Sequence, residues 1–167
     1  MTKVVKVLGH PVHQILIVFP LGLLSMSVIF DGIYFVRNNP DFGIASYYML
    51  VAGVIGALIA AVFGLLDWFQ IPKNTRAKSV GAWHGIGNAC VALLFLISWI
   101  VRKNYIVPDT SSFVPAMAGL VIALFTGWLG GELVNRLGIG VDEGANPNAP
   151  SSLRTSDTRA DEWRHSH

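Results

Sequence analysis

Six ionisable side chains stand at the ends of apolar runs, and their types are those of a metal or haem site. His10 and His13 are three apart, on one face of a helix. Asp67 closes a second apolar run, His84 opens a third, and Glu132, followed one turn later by Arg136, ends a fourth. Neutral imidazole is the commonest metal ligand and mixes with carboxylates at Zn, Fe and Cu sites, so His10, His13, His84, Asp67 and Glu132 form a candidate ligand set. His13 and His84 are the candidates for the two axial positions of a haem b. His10 and Arg136 are further cofactor contacts, and Asp67, Glu132 and Arg136 either orient the histidines or pair with haem propionates. Gly9, Gly85 and Gly87 beside the histidines either leave room for the macrocycle or serve as helix-end residues. A single transition-metal ion is the alternative cofactor. With no cofactor, the same layer is a carboxylate–imidazole–arginine network that ties helices together or relays protons. Interfacial anchoring explains any one of these residues alone, and only their convergence points to a site.

What must position them is a membrane bundle. The 167-residue chain is 53% hydrophobic and 13% charged, against about 25% charged in soluble domains, and its mean hydropathy is +0.54. This excludes a disordered chain, a nucleic-acid-binding domain and most soluble enzymes. No nucleophile with a placed base and no phosphate loop is present, so an enzyme is the least supported class. About 20 apolar residues span roughly 30 Å of hydrocarbon, and four stretches suffice, at about 13–36, 45–69, 83–101 and 113–134. Short links rich in Asn, Pro and Ser make neighbours antiparallel, which predicts an all-α, up-down-up-down four-helix bundle over residues 1–141. Residues 142–167, with Pro147, Pro150 and almost nothing apolar, are expected to form a polar, disordered tail.

The first run is too long for a signal peptide and lacks a small-residue cleavage site, so it is expected to remain as a span. Pro20 within it cannot donate to the carbonyl of Leu16 and predicts a kink there. Lys3, Lys6, Lys73, Arg76, Lys78 and Arg136 lie on one side of the membrane, against Arg37, Arg102 and Lys103 on the other. The first side, with both termini, is expected to be cytoplasmic. All six candidate residues then share the cytoplasmic end, and Asp31 alone lies toward the opposite one.

Small residues at intervals of four, Gly56, Ala60 and Gly64 in span two and Gly119, Ala123, Gly127 and Gly131 in span four, form stripes for close helix packing. They serve packing within the chain or a homo-oligomer. A histidine opens spans one and three, and an acid closes spans two and four. The segments Phe63 to Asp67 and Phe125 to Glu132 share a Phe, Gly, acid order. Two hairpins related by an axis along the membrane normal are therefore expected. Other signals carry no function: Gly85-Ile86-Gly87 lacks a nucleotide-loop context, Trp68, Trp83, Trp99 and Tyr105 are belt residues, Ser25 and Ser27 bond within their helix, and His165 and His167 sit in the tail.

Several segments together resemble a known family. They are His10-Pro11-Val12-His13, Phe19-Pro20-Leu21-Gly22-Leu23, Asp31, Gly64-Leu65-Leu66-Asp67, His84-Gly85-Ile86-Gly87-Asn88 and Gly127-Trp128-Leu129-Gly130-Gly131-Glu132-Leu133-Val134. They look like the bacterial membrane family catalogued as domain of unknown function 2231, over about residues 8–141. Members often continue with a Tyr-Arg-His-Gly-Val-Gly-Val-like segment. Here Leu137 stands in place of its histidine, so no role for that histidine carries over. The resemblance implies a four-helix protein of the bacterial inner membrane, and members joined to Rieske-type or cytochrome c-type domains imply a redox setting. The leading expectation is a small haem- or metal-binding electron-transfer subunit with a redox partner protein or larger complex. The alternatives are a structural or assembly subunit without cofactor and, more weakly, a proton relay or small transporter through Asp31 and Asp67.

Overall fold

The computed structural model describes residues 4–102 and 107–153. Lys3, Lys103, Asn104, Tyr105 and the tail beyond Leu153, with His165 and His167, lie outside the described residues. Two short strands, β1 (Lys6–Val7) and β2 (His10–Pro11), pair as an antiparallel hairpin. Its two-residue turn places Leu8 and Gly9 at φ 50° and 83°, the positive pair that such tight turns require. Five helices follow: α1 (Val12–Leu16), α2 (Val18–Arg37), α3 (Pro40–Gln70), α4 (Arg76–Val101) and α5 (Thr110–Asn135). With α1 and α2 joined as one span, four segments among the described residues are long and apolar enough to cross a membrane.

The all-α, four-helix architecture agrees with the sequence expectation, and the helix starts differ from it. α4 begins seven residues before Trp83 because Thr75 caps it, accepting from the Lys78 amide at 3.1 Å. Asn39 caps α3 ahead of Pro40 by accepting from the Asp41 amide at 2.9 Å. Hydropathy reports only the apolar part of a helix, whereas caps set its true end. Arg76, Lys78 and Ser79 are therefore helical rather than in a loop. The kink expected at Pro20 is a break between α1 and α2 at Ile17, and it puts Pro20 in the first turn of α2, where its missing donor costs nothing.

α2 packs along α3 and α4 along α5, while α3 meets α4 and α2 meets α5 over shorter stretches, so α2 and α4 are diagonal. Leu24, Val28, Leu50, Val54, Val91, Phe95 and Ala116 form the buried core. The segment after α5 does not stand free over its described part. Ile139 accepts from Gln14 at 3.5 Å, Asp142 pairs with Lys6, and Ser152 donates to Leu8 O at 3.0 Å.

The two hairpins share the contacts of their histidines and of their core glycines. His13, Leu24, Ser27 and Asp31 of the first correspond to His84, Phe95, Ser98 and Arg102 of the second, each pair 71 positions apart. Ser46, Gly53, Ala60 and Gly64 correspond to Ser112, Gly119, Thr126 and Gly130, each pair 66 apart. A Cβ on Gly53 would stand 2.6 Å from Leu24, and one on Gly119 2.9 Å from Phe95, so each glycine admits the matching core side chain. This is the hairpin repeat expected from the sequence, in a different register. Asp67 corresponds to Leu133 rather than to Glu132, because the matching glycine is Gly130 and not Gly127.

Candidate functional site

His13 and His84 come from diagonal helices and meet on the line between the hairpins, with ring centroids 6.4 Å apart and planes at 89°. Each is held by the second helix of its own hairpin. Nδ1 of His13 lies 2.9 Å from the carbonyl of Ala60, and Nδ1 of His84 lies 2.9 Å from the carbonyl of Thr126. A carbonyl only accepts, so each neutral imidazole carries its proton on Nδ1 and leaves a lone pair on Nε2. One turn along, a glycine seats each ring: a Cβ on Gly64 would lie 2.8 Å from Cε1 of His13, and one on Gly130 3.1 Å from Cε1 of His84. The span-two stripe of small residues is thus filled from within the chain, Gly56 by Pro20 and Gly64 by His13.

One feature breaks the symmetry. Asn88, opposite Ile17 in the repeat, donates from Nδ2 to the His84 carbonyl at 2.9 Å and to His84 Nε2 at 3.1 Å. The carbonyl fixes the amide's orientation, which independently requires Nε2 of His84 to be the acceptor. The Thr126 hydroxyl, 3.1 Å from both Oδ1 of Asn88 and the carbonyl of Ala123, shares its one proton between them. His84, Asn88 and Thr126 therefore close a ring of hydrogen bonds between α4 and α5.

The other candidate residues do not join the pair. His10 is exposed in the β-hairpin, its Nδ1 3.2 Å from Leu8 O. Asp67 is buried and accepts from the Val5 amide at 2.7 Å, which pins the N-terminal segment to the end of α3. Glu132 pairs with Arg76 at 2.6 Å. Arg136 is exposed in a pocket shared with Trp128, Glu132 and Asn135. Among the described residues no three His, Cys, Asp or Glu side chains gather closely enough to hold one ion. The expected single layer is therefore corrected to one histidine pair and separate contacts. These residues lie toward one end of the bundle but turn to different neighbours, and backbone carbonyls rather than acids orient the two imidazoles. Of the neighbouring glycines, Gly9 abuts Ser152 and Gly87 closes against Thr126, whereas a Cβ on Gly85 would meet open space.

At the opposite end of the bundle, Arg102 reaches Asp31 at 3.1 Å, Ser46 Oγ at 3.3 Å and Gly43 O at 2.9 Å, with both charged side chains essentially inaccessible. By sequence Arg102 is a loop cation and Asp31 a lone acid, whereas the fold brings them together. A usable signal was present: His13 precedes Asp31, and His84 precedes Arg102, by the same 18 residues.

A family model described as "Predicted membrane protein (DUF2231)" matches residues 9–143. No curated protein and no solved structure matches the chain.

Proposed function

The chain belongs to this DUF2231 family of predicted membrane proteins, and from that premise we propose that it is a small electron-transfer subunit carrying a redox group between His13 and His84. The observation behind the reading is the pair itself: two imidazoles from diagonal helices, centroids 6.4 Å apart, each with Nδ1 held by a backbone carbonyl. Metal-ligating histidines are held in this way, because the hydrogen bond fixes the tautomer and presents Nε2.

The donor set favours haem b over a lone ion. A bare Zn centre takes three or four protein ligands, whereas a haem would ask the protein for no more than the two imidazoles present. His13 and His84 would hold the group through Nε2, and haem bound there would supply one-electron transfer. Neither Asp67 nor Glu132 is placed to orient the histidines, and His10 contributes no ligand in this reading. The partner would be a redox protein or a larger complex of the bacterial inner membrane. With Arg102 buried, the remaining loop charges still favour a cytoplasmic histidine end and cytoplasmic termini.

The experiment is a visible spectrum of protein purified after haem-replete expression. A Soret band that shifts or disappears in His13→Ala and in His84→Ala is the expected result, and its absence in the wild type ends the haem reading. A second reading, a structural or assembly subunit without cofactor, is favoured by Asn88, which already satisfies Nε2 of His84. It expects both alanine variants to lose thermal stability with no change in bound iron. A proton relay has less to rest on, since Leu24, Val54, Val91 and Phe95 form an apolar layer between the histidines and Asp31.

A further inference from the structure

We infer that the groove between α4 and α5 is a binding site for an anionic phospholipid, with its acyl chain in the groove and its phosphodiester at Arg76 and Arg136. The groove has a volume of about 570 Å³ and is almost wholly apolar, walled by Val80, Trp83 and Cys90 of α4 and by Ile122, Phe125 and Leu129 of α5. On α5 the row continues with Glu132 and Arg136, since positions 122, 125, 129, 132 and 136 advance by three and four and share one helix face. On α4 the row 90, 83, 80 and 76 likewise ends in Arg76. Apolar walls thus run into a charged end holding two arginines and one glutamate. From Ile122 to Arg136 the row is about 21 Å long at 1.5 Å per residue, which matches one leaflet of hydrocarbon, about 15 Å, plus a headgroup.

The charge is specific to this hairpin. Arg76 pairs with Glu132, which leaves Arg136 to give the end a net positive charge, and Asn135 and Trp128 share its pocket. In the first hairpin the corresponding positions hold Val5, Leu66 and Gln70. The first hairpin is also built differently there, since residues 6–11 carry the β1–β2 turn where the second has the opening turns of α4, so the arginine end belongs to the second hairpin alone. Phosphate is the complementary group, because guanidinium presents a planar fork of donors to its oxygens. Basic pockets at helix ends select anionic over zwitterionic headgroups.

Native mass spectrometry of the full chain in detergent, titrated with phosphatidylglycerol or with phosphatidylcholine of the same acyl chains, tests the site. The wild type is expected to retain phosphatidylglycerol at about tenfold lower concentration than phosphatidylcholine. Arg76→Gln/Arg136→Gln should abolish that preference, Cys90→Trp should weaken both lipids by filling the groove, and Gln70→Ala at the corresponding place in the first hairpin should change neither. Equal binding of the two lipids by the wild type overturns the proposal with no variant needed. A preference that survives the double arginine substitution also overturns it. Displacement of the lipid by inorganic phosphate alone, or tighter binding of an uncharged isoprenoid quinone, assigns the groove to another ligand and overturns it equally.

Discussion

Arg102 and Asp31 occupy corresponding places in the two hairpins and meet each other at 3.1 Å, at the end of the bundle opposite the corresponding histidines. The ion pair is closed off from solvent by its own neighbours, with Ser46 Oγ and Gly43 O taking further guanidinium hydrogens. Removing one partner leaves a buried, uncompensated charge, which costs about 3–5 kcal/mol. Asp31→Leu and Arg102→Met should each lower the thermal unfolding midpoint in detergent strongly. The Asp31→Leu/Arg102→Met double variant should lose clearly less than the sum of the two single losses. Additive losses would show that the two side chains do not act as a pair.

Gly64 and Gly130 seat the imidazoles, and the space at each differs. Gly64→Ala brings a methyl to 2.8 Å of His13 and Gly130→Ala to 3.1 Å of His84. Overpacking of this kind costs about 1–3 kcal/mol. Gly64→Ala should be the more damaging, both in unfolding temperature and in any spectroscopic signal that depends on His13. Equal effects, or a larger one at Gly130, would contradict the packing.

Asn88 donates to two acceptors of His84. Asn88→Ala should lower stability by about 1 kcal/mol, the net worth of a hydrogen bond. It frees Nε2 of His84, so any iron or haem bound at the pair should be held more tightly. Unchanged stability together with unchanged cofactor content would remove Asn88 from the network.

Asp67 secures the chain ahead of the first span through the Val5 amide. Asp67→Ala should leave the four spans in place while exposing the N-terminal hairpin. Limited proteolysis should then cut near residues 5–10 faster than in the wild type. A cleavage rate equal to the wild type would mean that the contacts of Lys6 and Leu8 with the C-terminal segment suffice.

The spans and their order were legible because hydropathy alone decides what crosses a bilayer. The hairpin repeat showed in the histidines that open spans one and three. The pairing of His13 with His84 followed from placing spans one and three on a diagonal. Which way each remaining polar residue faces was not legible. Glu132 turns to Arg76 and Asp67 to Val5, and these choices depend on helix rotation, which loop lengths do not report. Arg102 was misplaced for a related reason. As the residue just past the end of α4 it reads as a loop cation, and only the packing of the helix ends carries it inward to Asp31.

Two copies of the first hairpin, assembled about a true two-fold axis, would set carboxylate against carboxylate where Asp31 lies, and two copies of the second would set guanidinium against guanidinium. Neither half can pair favourably with itself, and each finds its neutralising counterpart only in the other. Joining the halves in one polypeptide guarantees a single copy of each sign, so the buried charge enforces the one-to-one stoichiometry that the covalent link supplies.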